Sequence, residues 1–180
     1  MLNVNNTTLL VIDVQGKLAQ LMHEKETFIT NVERMVRGAQ TLDLPIIWTE
    51  QVPEKLGDTI PQLREPLLKT AQPIPKISFS CCGNQPFMEE LQTLGRKQVL
   101  ITGLETHVCV YQTALDLLDI GYEVQAVTDA LSSRTVQNKQ IGLERMKEAG
   151  ASLTSTETAL FELLRVAEGD KFRTISKLVK

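Results

Sequence analysis

Histidine and cysteine are scarce in this chain, with two of the first and three of the second among 180 residues. A catalytic zinc site usually draws on clustered histidines, so the scarcity argues against one. Three cysteines, two of them adjacent at Cys81 and Cys82, do not make a disulfide framework, and free thiols are expected. No charge of one sign dominates. The formal net charge is −3 with acids and bases mixed along the chain, which gives no footprint for nucleic acid or an anionic membrane surface. No apolar run approaches the ~20 residues that span a bilayer. The N-terminal stretch "MLNVNNTTLLVIDVQ" lacks a basic leader, and its apolar run stops at Asp13, so a cytoplasmic protein is expected. Neither GxGxxG nor GxxxxGK[ST] occurs, leaving nucleotide phosphates without a cradle. Repeats, low-complexity tracts and linkers are also missing, and the length suits a single domain over residues 1–180.

What is present is an alternation of strand and helix patterns. "TTLLVIDV", "LPIIWTE", "QPIPKISF", "KQVLITG", "YEVQAVTD" and "ASLTST" read as six strands, the first a continuous apolar run suited to burial on both faces. Helical spacing runs from about Glu24 to Leu42, over "PFMEELQTLG", from about Thr106 to Ile120, over "VQNKQIGLERMKEAG", and through the last two segments of the chain. "QVPEKLGDTIPQLREPL" is punctuated by Pro and Gly and reads as a long loop holding one helical turn. The pattern implies a three-layer α/β fold: a mostly parallel, doubly wound, six-stranded sheet with helices on both faces.

In such sheets ligands bind beyond the carboxyl ends of the strands. Polar residues there are therefore candidates. Asp13 directly follows "LLVI", where an unpartnered carboxylate is costly; it is either held by a nearby turn or serves as a general base. Lys76 lies between "PIP" and "ISF"; it is either a solvated edge charge or the partner of Asp13. Cys109 falls in the first turn of the expected helix, where free N–H groups and the helix dipole favour a thiolate and an oxyanion. It is either a nucleophile or a small core residue. His107 is two residues from Cys109, and such pairs do not face each other on a helix, so a Cys–His dyad is weakly supported. A phospho-receiver also carries Asp and Lys at strand ends, but "DVQGK" supplies only one of the acids it needs.

"LLVIDVQ", "PKISFS", "TGLETHVCV" and "VTDALSSR", in this order and spacing, resemble the isochorismatase-like cysteine hydrolase superfamily. "TEQVPEKLGDTIPQL", "TALDLLDIGYEV" and "MKEAGASLTSTETALFELL" resemble its branch of isochorismatase domain-containing proteins. The resemblance implies an Asp–Lys–Cys triad at Asp13, Lys76 and Cys109. It implies a non-proline cis peptide between Leu104 and Glu105, and an oxyanion hole made by the backbone N–H groups of Glu105 and Cys109. The implied reaction is hydrolysis of a small amide or ureido C–N bond through a thioester, with Lys76 holding Asp13 and the leaving group. No cofactor is implied. Nicotinamidases of the superfamily bind a metal through an Asp/His cluster after strand two; here that region, "WTEQVPEKLGD", has no histidine, so a metal-independent enzyme is expected. Vinyl-ether hydrolysis of the isochorismate type, and a non-catalytic binding or scaffold role, stand as alternatives. Glu50, Gln51 and Phe79 are candidate pocket residues, and Arg134 in "SSR" is read as structural. The expected partners are a small-molecule substrate and further copies of the chain, with neither nucleic acid nor membrane.

Overall fold

The computed structural model describes residues 1–180. Its strands are β1 (Thr7–Ile12), β2 (Ile46–Gln51), β3 (Pro73–Lys76), β4 (Gln98–Leu104), β5 (Glu123–Ser132) and β6 (Ser152–Thr154). They form one sheet in the order β3-β2-β1-β4-β5-β6, with every ladder parallel. β1, β2 and β4 are buried at every residue, as expected for central strands covered on both faces.

Side chains of a strand alternate between faces, and β1 shows how one short run builds two cores. Leu9 and Val11 join a cluster with α2 (Lys25–Thr41), α4 (Pro61–Leu67), α8 (Thr156–Leu164) and α9 (Gly169–Leu178). Leu10 and Ile12 join a second cluster with α5 (Gln85–Leu94), α6 (Tyr111–Asp119) and α7 (Val136–Glu148). Each fully buried Leu, Ile, Val or Phe in these layers contributes about 1.5–3 kcal/mol. No helix is long and apolar enough to cross a membrane.

The strand order reverses between β1 and β4, so their carboxyl ends diverge into a crevice. Gly103 sits at that point with φ 117°, and a Cβ there would meet Ile12 O at 2.1 Å. Glycine therefore lets β4 lie against β1 where the two chains leave the sheet.

Several boundaries differ from the sequence reading. Residues 51–67 carry two helices, α3 (Pro53–Leu56) and α4, where a loop with one turn was expected. Each has a proline in its first turn, where the missing N–H costs nothing, so the same prolines that suggest a loop start the helices. A further short helix, α1 (Gly16–Gln20), follows β1. β3 is limited to four residues because the chain after Lys76 turns to wrap that side chain. The segment Thr106–Val110 is a π turn ahead of α6, with Val110 N–H bonded to Glu105 O.

Candidate active site

Asp13, Lys76 and Cys109 come from β1, β3 and the turn after β4, and the fold brings all three to one crevice. Asp13 takes a left-handed backbone (φ 53°) immediately after β1, an uncommon conformation that Asp tolerates better than most residues. Its carboxylate is 2% exposed. Thr49 Oγ1 donates to Oδ1 at 2.8 Å, and Lys76 Nζ lies 2.7 Å from Oδ2. Oδ2 has no conventional hydrogen-bond donor aligned on it, so the Lys76 contact is chiefly one of charge. That leaves the oxygen free to accept from the Cys109 thiol, which contacts Asp13.

Lys76 is fully buried and fully occupied. Besides Asp13, its ammonium donates to Gln51 Oε1 at 2.5 Å, Phe79 O at 3.0 Å and Ser78 O at 3.2 Å. Three protons facing four oxygens leave none for a leaving group, which corrects the second role expected of this residue. It is also no solvated edge charge, because the chain after β3 folds back over it.

Burial sets the acid–base properties. It raises the Asp13 pKa above the ordinary carboxylate range, and the Lys76 charge and hydrogen bonds only partly offset this. Burial, then the charge of Asp13, pushes the Cys109 thiol up to about 12, with Lys76 opposing. The helix N-terminus favours a thiolate, but other forces prevail here. Cys109 is 7% exposed, and desolvation beside a carboxylate outweighs the helix end. Cys109 therefore rests as a thiol beside Asp13.

The Leu104–Glu105 peptide bond is cis. It carries the chain from β4 into the turn that presents Cys109. Gly142 of α7 packs on this turn, where a Cβ would fall 2.8 Å from Thr106 C and O and 2.9 Å from His107 Cα. The Glu105 carboxylate accepts from the Arg134 backbone N–H at 3.3 Å and from Nε at 3.0 Å, so Arg134 braces this turn. His107 points to Ser133, its Nδ1 3.0 Å from Oγ.

A cavity of about 110 Å³ opens beside Asp13 and Cys109, walled by Leu18, Leu56, Phe79, Leu104 and Val108, with Gln51 and Glu105 also lining it. Gln51 and Phe79 are therefore pocket residues. Glu50 is not. Its Oε1 accepts from Thr59 N–H at 2.7 Å and Arg64 Nη1 at 3.1 Å, because alternate residues of β2 face opposite sides of the sheet.

Sequence reasoning missed Gln15 and Thr49. Gln15 is fully buried, donates to Gln51 O and Gly57 O, and accepts from Gln51 N–H at 2.6 Å, tying the ends of β1 and β2 together. A polar residue at the end of an apolar strand, as in "LLVIDVQ" and "IIWTEQ", is the signal that would have found both. No group of three or more His, Cys, Asp or Glu side chains is placed to hold a metal ion.

The isochorismatase domain family matches residues 7–158. The chain belongs to the isochorismatase-like hydrolase family. Isochorismatase domain-containing protein 2 of Xenopus laevis is 36% identical over 179 residues, covering 99% of this chain and 85% of that protein. The MAR1 ribonuclease structure from Caenorhabditis elegans is 36% identical, covers 99% of this chain and 91% of its own, and superposes with a TM-score of 0.90. YcaC of Escherichia coli, described as an octameric hydrolase of unknown specificity, is 27% identical, with 98% and 89% covered and a TM-score of 0.92. The doubly wound fold is common to them.

Proposed function

We propose that this family member is a cysteine hydrolase that cleaves a small amide or ureido C–N bond through a thioester, with Asp13 as base, Cys109 as nucleophile and Lys76 as the fixed countercharge. The observation that carries the reading is a buried thiol beside a buried carboxylate that Thr49 and the Lys76 ammonium hold in place. A structural cysteine has no use for that arrangement, which is costly to bury.

The carbonyl carbon enters beside Sγ. As the C–S bond forms, the thiol proton passes to Asp13, whose raised pKa makes it a competent base. The carbonyl oxygen becomes an oxyanion, received by the backbone N–H groups of Glu105 and Cys109. Protonated Asp13 then delivers its proton to the leaving nitrogen, the C–N bond breaks, and the thioester remains. A water molecule gives a proton to Asp13 and attacks the thioester. The second tetrahedral species collapses to acid, and the sulfur takes its proton back from Asp13. Lys76 keeps Asp13 oriented and neutralises it whenever it is ionised. The family's YcaC relative favours an assembly of several copies.

A ribonuclease reading is prompted by the Caenorhabditis elegans relative's name. It fits poorly with a small cavity lined by two carboxylates and no basic side chain, since phosphate binding draws on Lys and Arg. The test is ammonia release from a panel of small amides and ureido compounds, run with wild type, Cys109→Ala and Asp13→Asn. Loss of turnover in both variants, with folding intact, supports the triad. Full turnover by Cys109→Ala would instead favour vinyl-ether-type chemistry without a covalent step.

A further inference from the structure

The walls of the cavity carry information about the acyl group of the substrate, beyond the bond that is broken. Of nine lining residues, six are apolar or thiol: Leu18, Leu56, Phe79, Leu104, Val108 and Cys109. Two carboxyl groups, Asp13 and Glu105, belong to the lining, and no lysine or arginine is among them. The nearby cations are already committed. Lys76 meets four oxygens and is fully buried, and the Arg134 guanidinium lies outside the cavity against Glu105. A substrate carboxylate placed here would find no unpaired cation and no spare donor from Lys76, since both carboxylates of the lining already hold the nearby cations.

We propose that the pocket selects uncharged amides with a short aliphatic acyl chain, and rejects amides that carry a carboxylate. This rests on the amide-hydrolase reading above. Size points the same way. An apolar cavity of ~150 Å³ takes benzene, so one of about 110 Å³ holds an acyl chain of roughly five carbons or fewer. Recognition is by exclusion: apolar walls accept a methyl terminus and leave an anionic one desolvated and unpaired.

Butyramide and succinamate make a matched pair, since the second replaces the terminal methyl of the first by a carboxylate. Two readouts are needed. The first is kcat/KM for ammonia release by the wild-type protein and by Leu56→Arg, which places a cation on the cavity wall. Wild type should prefer butyramide by at least ~100-fold, and Leu56→Arg should narrow that ratio by at least ~10-fold. The second is NMR titration of Cys109→Ala with each compound, which reads the pocket without chemistry. Butyramide should bind and succinamate should not. Equal or better turnover or binding of succinamate, or an unchanged ratio in Leu56→Arg, overturns the proposal. Binding of butyramide alone, with neither compound hydrolysed by wild type, upholds the pocket's selectivity and overturns the amidase reading. If neither compound binds or is hydrolysed, the proposal is overturned.

Discussion

Replacing Lys76 by Met should destabilise the protein in a way that depends on pH. In the native site the ammonium lies 2.7 Å from Asp13 Oδ2, with side chains 0% and 2% exposed. Met fills much of the same space but leaves the carboxylate with the neutral Thr49 and Cys109 as its remaining donors, and strips a donor from Gln51 Oε1 and the carbonyls of Ser78 and Phe79. Breaking a buried pair by removing one partner costs about 3–5 kcal/mol, a large share of the ~5–15 kcal/mol that holds a domain together. The sign follows from Asp13. Its folded pKa is raised above the unfolded value, so its contribution to stability is greatest below the unfolded pKa and is lost as pH rises through the folded one. Lys76 opposes that rise, so its removal moves the folded pKa higher still. The deficit of Lys76→Met is therefore largest near pH 8 and shrinks on acidification, with a slope of up to ~1.4 kcal/mol per pH unit for one proton. Urea unfolding from pH 8 to pH 5 measures it. Adding Asp13→Asn to Lys76→Met should recover stability at pH 8, because no charge is then buried. A deficit that stays constant with pH, or a double variant less stable than Lys76→Met, would refute the charge-pair reasoning.

Two further outcomes follow from the same geometry. Brief iodoacetamide treatment of the resting protein should label Cys82 ahead of Cys109 and Cys81 by peptide mapping, because Cys82 is the more exposed and its thiol sits at about 11 against about 12 for the others. Gly142→Ala should press on Thr106 and His107, costing ~1–3 kcal/mol in thermal unfolding and displacing the Cys109 turn enough to lower kcat by ~10–100-fold.

The fold was legible because its strands are apolar runs of the right length and its helices carry a clear period, both properties of adjacent residues. Asp13, Lys76 and Cys109 were legible as polar or reactive groups at strand ends. The protonation state of Cys109 was not, since it depends on burial beside Asp13, 96 positions away in the chain. Gln15 and Thr49 escaped for a related reason: a buried glutamine or threonine looks like a surface residue until its partners are known. Glu50 was misplaced because one residue of register along β2 decides which side of the sheet a side chain takes. The Pro-rich stretch after β2 misled because proline both ends and starts helices.

The mechanism turns on a thioester at Cys109. Acid-quenching the protein during turnover of an amide substrate, followed by intact mass and peptide mapping, tests it most directly. The account predicts a mass gain equal to the acyl group, confined to the peptide carrying Cys109 and absent in Cys109→Ala, which should also be inactive. Continued turnover with Cys109 unmodified throughout, and an undiminished rate in Cys109→Ala, would contradict it.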